Sequence, residues 1–587
     1  MRGRLEKHPE AVEKYTGLKK RVIWVVVLLV AGYMGVGARL VYLQVIEKNF
    51  LMHKALRQQQ EVILLPSRRG TIYDRNGSEL AVSVEADSLY GVPETVQDPH
   101  AVAMTLAPAL GVSRKSLEEK LKGTKKFVWL ARKVPPDVQP KIKTDGDMEG
   151  VLGWLFDSRR YYPKKEIAAQ ILGFTGTDGK GLDGLEAQYE KYIGGLQGQA
   201  ITERDGAGRE VLALDEKKNS PKAGDDITLT INERVQYMAE KALDEIMEKY
   251  KPISATAIVM DPNTGEVLAM ANRPGFNPNN WSGYASQDWK NRAVTDLYEP
   301  GSTFKLVTAS GALEEGVVKP TDVIDCGNGE IEVAGRVIHS AENEGGRLTF
   351  SEVIQKSNNV GTIKVALKLG QEKLYKYAKA FGIGEKTGVD LPGEASGKLR
   401  ELSKWSGLSV ASVAIGQEVS VTPLQMLTAM NCIANGGYYM EPYVVSEIKG
   451  ADGSVIMRKG PEKIRKVISK ATAAKLRDIL STVVEEGGTA VSARIKGYQV
   501  AGKTGTAQKF DRAAGRYSKT KYYSSFVGFC PADNPKVSAI VVLNEPHGGI
   551  YYGGQVAAPA FKDIVEQALT YMKVPSRLPE QTILVDK

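Results

Sequence analysis

The chain has 587 residues, 42% hydrophobic and 25% charged, a globular composition too long for one ordinary core. Its formal charge of +9 is spread along the chain without an Arg-rich or aromatic-interleaved basic tract, which sets nucleic-acid recognition aside. Three distant cysteines (Cys326, Cys432, Cys530) and five histidines without paired spacing give neither a disulfide framework nor a metal-ligand cluster, so free buried thiols and no cofactor are expected.

Residues 22–38 form an uncharged apolar run, and apolar character resumes after Arg39 through Ile46. About 20 such residues cross a hydrocarbon core, and Arg39 near the end can snorkel. Lys19, Lys20 and Arg21 precede the run directly, with Arg2, Arg4, Lys7 and Lys14 behind them. The positive-inside rule then puts residues 1–21 in the cytoplasm and everything beyond about residue 46 outside. Val36-Gly37-Ala38 is a poor cleavage site, so 22–46 reads as an uncleaved single-span anchor rather than a signal peptide.

Residues 47–223 are charged and mixed, with short strand-like runs at 61–65 and 88–92. Arg69-Gly70-Thr71-Ile72-Tyr73-Asp74-Arg75-Asn76-Gly77 contains a hairpin signal at Asn76-Gly77. Gly184-Leu185-Glu186 leads into a short helix ending at Gly194-Gly195. Nothing here has the chemistry of a nucleophile or a metal site, and a spacer is predicted. From 224 the pattern changes. Asn232 can cap a helix with Val235, Met238, Ala242 and Ile246 on one face. Strand-like runs at 255–260 and 266–271 flank the turn sequence Asp261-Pro262-Asn263-Thr264-Gly265. Two more, 524–529 and 537–544, flank Pro531-Ala532-Asp533-Asn534-Pro535. A last helix, 560–572, puts Phe561, Ile564, Val565 and Ala568 on one face. Strands and helices at both ends of a helical middle predict one α/β domain over 224–575 with an antiparallel sheet, and a tail at 576–587.

Three short stretches within that domain carry chemistry. In Tyr298-Glu299-Pro300-Gly301-Ser302-Thr303-Phe304-Lys305, Ser302 opens an apolar helix to about Glu315, with Lys305 one turn on and within reach of its hydroxyl. The helix N-terminus favours a developing alkoxide, and a neutral, buried lysine can act as the serine's base. Ser357-Asn358-Asn359 sits between helical runs at 350–355 and 360–369. Gly502-Lys503-Thr504-Gly505-Thr506 lies in a strand-like run, 498–508, whose glycines let another chain lie close. Lys386-Thr387-Gly388 repeats the last motif after a helix end without strand pattern and reads as a loop. Each stretch alone has an ordinary structural explanation, a capped helix, a helix break or a turn.

Taken in this order within one α/β domain, the three resemble the motif set of serine penicillin-recognising enzymes. The Ser302, Ser357 and Lys503–Gln508 stretches are similar to those of class B penicillin-binding proteins. So are Ile415-Gly416-Gln417 with Thr422-Pro423-Leu424-Gln425, and Tyr551-Tyr552-Gly553-Gly554. Arg69–Gly77 and Gly184-Leu185-Glu186 resemble the pedestal motifs of that class. Tyr298-Glu299-Pro300-Gly301 and the Tyr-Tyr-Gly-Gly block are closer to the division type than to the elongation type, with a sporulation-type relative as the alternative. The resemblance implies the serine β-lactamase/transpeptidase fold, an antiparallel sheet flanked by helices, on an elongated α+β pedestal of the dimerisation type (47–223).

It also implies a reaction. Ser302 would attack the penultimate D-alanine carbonyl of a peptidoglycan stem peptide, with Lys305 as base and Ser357 as proton relay. Asn359 would donate to the substrate amide, and Lys503, Thr504, Gly505 and Thr506 would hold its terminal carboxylate. The backbone N–H groups of Ser302 and Thr506 would form the oxyanion hole. β-Lactams would acylate Ser302. No acidic catalytic motif stands before residue 224, so glycan polymerisation from lipid-linked precursor falls to a membrane partner, alongside other division proteins. The rivals are a hydrolase, which the anchor and pedestal disfavour, and a β-lactam-binding sensor or scaffold without turnover.

Overall fold

The computed structural model describes residues 9–65, 67–123, 125, 127–135, 137–142, 148, 150–204, 210–211, 217–340, 345–511 and 514–576. Residues 1–8 of the expected cytoplasmic segment, and the expected tail after residue 576, lie outside them. The chain divides into two compact units, residues 1–66 with 197–221, and 67–196 with 222–587.

In the first unit a helix, Pro9–Val41, continues through the π-helical turn Tyr42–Ile46 into Lys48–Gln59. The stretch Gly17–Ile46 is a 30-residue helix whose most apolar 18-residue window has a mean hydropathy of 1.9 and is nowhere buried, consistent with a membrane anchor. Strand Gln60–Leu65 then pairs antiparallel with Gly198–Arg204, Gln60 facing Glu203 and Leu65 facing Gly198.

The second unit is organised by two sheets. The five-stranded sheet comprises β1 (Ser254–Met260), β2 (Val267–Arg273), β3 (Ala501–Asp511), β4 (Arg516–Cys530) and β5 (Val537–Asn544). Its order is β2-β1-β5-β4-β3, all antiparallel, which leaves β3 at an edge. Alternate side chains serve two cores. Ala255, Ala257 and Val259 pack with Val235, Leu243, Phe561 and Ile564 of helices α1 (Glu233–Tyr250) and α5 (Ala558–Tyr571). Ile258, Met260, Ile540 and Val542 pack instead with Leu306, Val307, Met426 and Ile433 of α2 (Lys305–Glu314) and α4 (Pro423–Ala434). Burial on both faces is why β1 and β5 read as nearly continuous apolar runs. Asn232 caps α1 as its sequence predicts, its side-chain oxygen accepting from Arg234 N and Val235 N. Helix α3 (Asn359–Leu369) completes the helical layer, with Asn358 as its cap.

The seven-stranded sheet joins Glu79–Gly91, paired with Val128–Val134 and Leu152–Tyr161, through Ile72–Tyr73 and Asp226–Leu229 to Val445–Lys449 and Val455–Arg458. Strands from both sides of residue 223 therefore share one sheet. The Asn76-Gly77 turn closes the expected hairpin, Ile72 facing Ala81, with Gly77 at φ +85°. Asp74 accepts from Asn76 N and Ser78 N inside that turn and from Glu233 N at the start of α1. Glu186, in the short helix Gly184–Gln188, is fully buried between Arg69 and Arg160, which donate to it at 2.6 and 2.5 Å. The three cysteines are free and buried.

Candidate active site

Ser302 lies in a 3₁₀ turn, Gly301–Phe304, that runs directly into α2 at Lys305. The helical start predicted at Ser302 is thus one tighter turn, which leaves Ser302 half-buried while Lys305 goes fully under the surface. Gly301 makes the turn at φ +54°, a conformation that strains residues with a Cβ. Gly416 of the Ile-Gly-Gln motif secures it, since its carbonyl accepts from Gly301 N at 3.1 Å. A Cβ on Gly416 would stand 2.1 Å from the Gly301 carbonyl oxygen.

Lys305 Nζ donates to the Ser357 carbonyl at 2.5 Å, to Ser357 Oγ at 3.2 Å and to Asn359 Oδ1 at 2.7 Å. Ser302 Oγ makes no hydrogen bond to any described residue, so the expected direct Ser302–Lys305 contact is not made. Lys305 instead joins the first motif to the second. Ser357 reaches it from a left-handed backbone, φ +57°, which costs a non-glycine residue about 1–3 kcal/mol and must be held by its surroundings. Asn359 is engaged at both ends, its Nδ2 donating to the His339 carbonyl at 2.9 Å and its backbone N–H to Ser340 Oγ at 3.1 Å. One amide hydrogen is therefore committed to the protein, and only the other is left for a substrate.

Lys503 lies on β3 and is fully buried, with only long contacts to Thr504, 3.4 Å to its carbonyl and 3.3 Å to Oγ1. Burial pushes its pKa down to about 7. Lys305 is held well below the ordinary lysine range by burial and by the charge of Lys503. Its three acceptors suit an ammonium, whereas its desolvation favours the amine. A neutral amine keeps two of those hydrogen bonds and frees a lone pair, and burial dominates the direction. No carboxylate pairs with either lysine among the described residues.

The remaining third-motif groups are tied to neighbouring segments. Thr504 Oγ1 meets Thr489 Oγ1 at 2.9 Å, and Thr506 Oγ1 accepts from Gly553 N at 3.0 Å. The Tyr-Tyr-Gly-Gly block needs its glycines for closeness. A Cβ on Gly553 would stand 2.3 Å from the Ser525 carbonyl oxygen and 2.4 Å from that of Gly505, and one on Gly554 2.0 Å from that of Thr489. Gly505 itself would bring a Cβ to 2.4 Å from Ser525 Oγ.

A cleft of about 670 Å³ opens over these groups. Ser302, Ser357, Asn359, Thr504 and Thr506 line it, with Lys305 and Lys503 directly bonded to lining residues from below. Seven of the eight expected site residues thus converge, and Gly505 lies between Thr504 and Thr506 on β3. Lys386 does not join them. It is exposed on a turn, while Thr387 binds Glu394 through its N–H at 2.6 Å and its hydroxyl at 2.5 Å. Sequence reasoning missed Glu299, Thr489 and Ser340. Only Glu299 had a local signal, a carboxylate three residues before the serine in an otherwise apolar neighbourhood.

The sequence matches the penicillin binding protein transpeptidase domain over residues 255–566 and the penicillin-binding protein dimerisation domain over 64–229. It is 35% identical to stage V sporulation protein D of Bacillus subtilis, over 95% of this chain and 87% of that protein. It is 34% identical to the peptidoglycan D,D-transpeptidase FtsI of Escherichia coli, over 91% and 89%. Among solved structures, penicillin binding protein 3 of Mycobacterium tuberculosis with aztreonam superposes at a TM-score of 0.69 and 28% identity, covering 88% of this chain and 99% of that one. Penicillin binding protein 2X of Streptococcus thermophilus gives 0.73 and 26%, covering 87% and 80%. With both domains matched and relatives aligned along nearly its full length, the chain belongs to the class B penicillin-binding proteins and is a peptidoglycan D,D-transpeptidase.

Proposed function

We propose that Ser302 is the acylated nucleophile of septal cross-linking, with Lys305 as its base and Ser357 as the relay to the leaving D-alanine. The observation that carries this is the Lys305 bridge, a buried amine held between the serine-bearing turn and the Ser357-Asn358-Asn359 break. Neutral Lys305 takes the Ser302 proton as Oγ attacks the carbonyl, and the backbone N–H groups of Ser302 and Thr506 receive the oxyanion, about 3–4 kcal/mol for each donor. Lys503, Thr504, Gly505 and Thr506 receive the terminal carboxylate. Burial without a carboxylate partner draws Lys503 towards the neutral amine, and the substrate carboxylate supplies the counter-charge that favours its protonated form. Asn359 directs its uncommitted amide hydrogen to the substrate backbone.

A β-lactam presents a carbonyl and an anionic group in a similar relation and acylates Ser302; the complex of the mycobacterial relative with aztreonam supports this. The basic residues before the apolar helix support a cytoplasmic N-terminus and an exterior catalytic domain, and without an acidic catalytic motif before residue 224 glycan polymerisation falls to a membrane partner. Comparable identity to a sporulation protein and to FtsI supports two settings, and Tyr298-Glu299-Pro300-Gly301 favours the septal one. Imaging a fluorescent fusion separates them. A midcell band in dividing cells is expected, and signal confined to the forespore would assign the sporulation role instead.

A further inference from the structure

Glu299 has no part in the reaction described above, yet it lines the cleft together with Ser302, Gln417 and Tyr517. Its Oε1 is occupied, accepting from Glu418 N at 3.1 Å and from the Tyr517 hydroxyl at 3.2 Å. Its Oε2 is shielded from solvent and has no hydrogen-bond partner among the described residues, and no lysine or arginine there forms an ion pair with the carboxyl. Burial holds this carboxyl above the ordinary carboxylate range, against the two hydrogen bonds that draw it down. Buried acceptors are nearly always satisfied, and leaving one unpaired costs about 1–3 kcal/mol. A role in fastening the wall accounts for Oε1 alone. The second oxygen has no donor within the wall, and the cleft that Glu299 lines is the side from which one can reach it once the carboxyl turns.

We infer that Glu299 is the binding site for the amine of the acceptor stem peptide, the group that enters as a cation after Ser302 has been acylated. The inference rests on the transpeptidase assignment above, because it concerns only the second half of that reaction. The acceptor ammonium supplies the N–H donors that Oε2 lacks and the positive charge that the carboxyl lacks. It gives one proton to the carboxylate. The neutral nitrogen then attacks the acyl carbon, the N–C bond forms as the C–Oγ bond breaks, and the second proton passes from nitrogen to Ser302 Oγ. The proton left on Glu299 returns to solvent once the amide product departs. Water and methanol carry no charge for the carboxylate to pair with, and Lys305 can take their proton, so the carboxyl raises aminolysis above hydrolysis.

Glu299→Gln tests this, because glutamine keeps an oxygen for Glu418 N and Tyr517 while replacing the anionic oxygen by a donor. With a D-alanine-terminal thioester analogue as acyl donor, the products of aminolysis and hydrolysis are counted with D-alanine as the amine, and those of methanolysis with methanol. Both ratios arise from one acyl-enzyme and do not depend on how fast it forms. The expected result is at least a tenfold fall in the aminolysis ratio, with the methanolysis ratio within a factor of two of wild type. Equal falls in both ratios, an unchanged aminolysis ratio or an increased one would overturn the inference. If Glu299→Gln does not fold, Glu299→Asp retains the charge and is expected to keep the preference for the amine over methanol; its loss would equally overturn the inference. A wild-type protein that hydrolyses the thioester but transfers nothing to D-alanine would instead sink the transpeptidase assignment.

Discussion

Lys305 and Lys503 are two amines placed where burial opposes charge, and their chemistry follows from that conflict. If Ser302 is the nucleophile, Ser302→Ala should abolish covalent labelling by fluorescent penicillin. Its thermal transition should hardly move, since Ser302 Oγ bonds to nothing described and even a capping hydroxyl typically contributes only about 1 kcal/mol. Labelling of the mutant would remove the assignment. Lys305→Arg should be inactive, because a guanidinium stays protonated and cannot serve as base. The buried lysines also set a pH dependence of stability. Lys503 binds its proton less tightly folded than unfolded, so the unfolded chain holds more protons between about pH 7 and the ordinary lysine range. Stability from this residue therefore rises with pH across that window and is lost as pH falls towards 7. Denaturation midpoints at pH 7 and pH 9 should rise more for wild type than for Lys503→Met, and equal rises would show that Lys503 is not depressed. The residue types of the site were legible in the sequence because serine and lysine at this spacing carry a mechanism. That Ser357 touches Lys305 was not legible from any local pattern and followed only from the family resemblance, since the contact depends on a left-handed backbone.

At the scale of elements, β3 shows what an edge position provides. It pairs with β4 on one side only, and the cleft lies over residues 504–508 of the strand. The duplicate Lys-Thr-Gly at 386–388 has the same letters but sits on a turn with its lysine in solvent and its threonine spent on Glu394. If the buried Lys503 meets a substrate carboxylate, losing it should cost on the order of 3 kcal/mol, and losing a surface lysine about 0–1. Lys503→Ala should then slow penicillin acylation by about two orders of magnitude or more, and Lys386→Ala by less than about fivefold. Second-order acylation rates of the two variants decide it, and a crippled Lys386→Ala would misplace the third motif. The strand, the turn signal at Asn76-Gly77 and the cap of α1 were all readable, because each is encoded by neighbours in sequence. The tight turn at 301–304 was not, because its conformation depends on Gly416 and Ala507, which approach from distant segments.

For the second compact unit as a whole, the seven-stranded sheet decides how stability is shared. Strands Ile72–Tyr73 and Asp226–Leu229 pair directly, Ile72 with Ile227, so the segments before and after residue 223 are covered by one hydrogen-bonded surface. Asp74 adds a side-chain bond to the first turn of α1, and Tyr189 reaches Asp390 at 3.4 Å. None of this was legible from a sequence that places a spacer before 224 and a catalytic domain after it, because strand partners so far apart leave no local pattern. The buried Arg69–Glu186–Arg160 cluster gives a way to test the consequence. Removing the carboxylate leaves the buried Arg160 without an acidic partner among the described residues and Arg69 with Glu190 alone, and breaking a buried pair costs about 3–5 kcal/mol. Glu186 makes no contact with the cleft, so in a divided molecule Glu186→Ala would weaken residues 67–196 and leave penicillin labelling as heat-resistant as before. In a molecule joined by one sheet, the loss lowers the temperature at which both fail. Full-length protein in detergent, heated stepwise, should be sampled in parallel for tryptic cleavage within 67–196 and for residual labelling by fluorescent penicillin. Both curves should coincide in wild type and move down together in Glu186→Ala. Labelling that persists above the temperature of cleavage would show that the shared sheet does not couple the two segments.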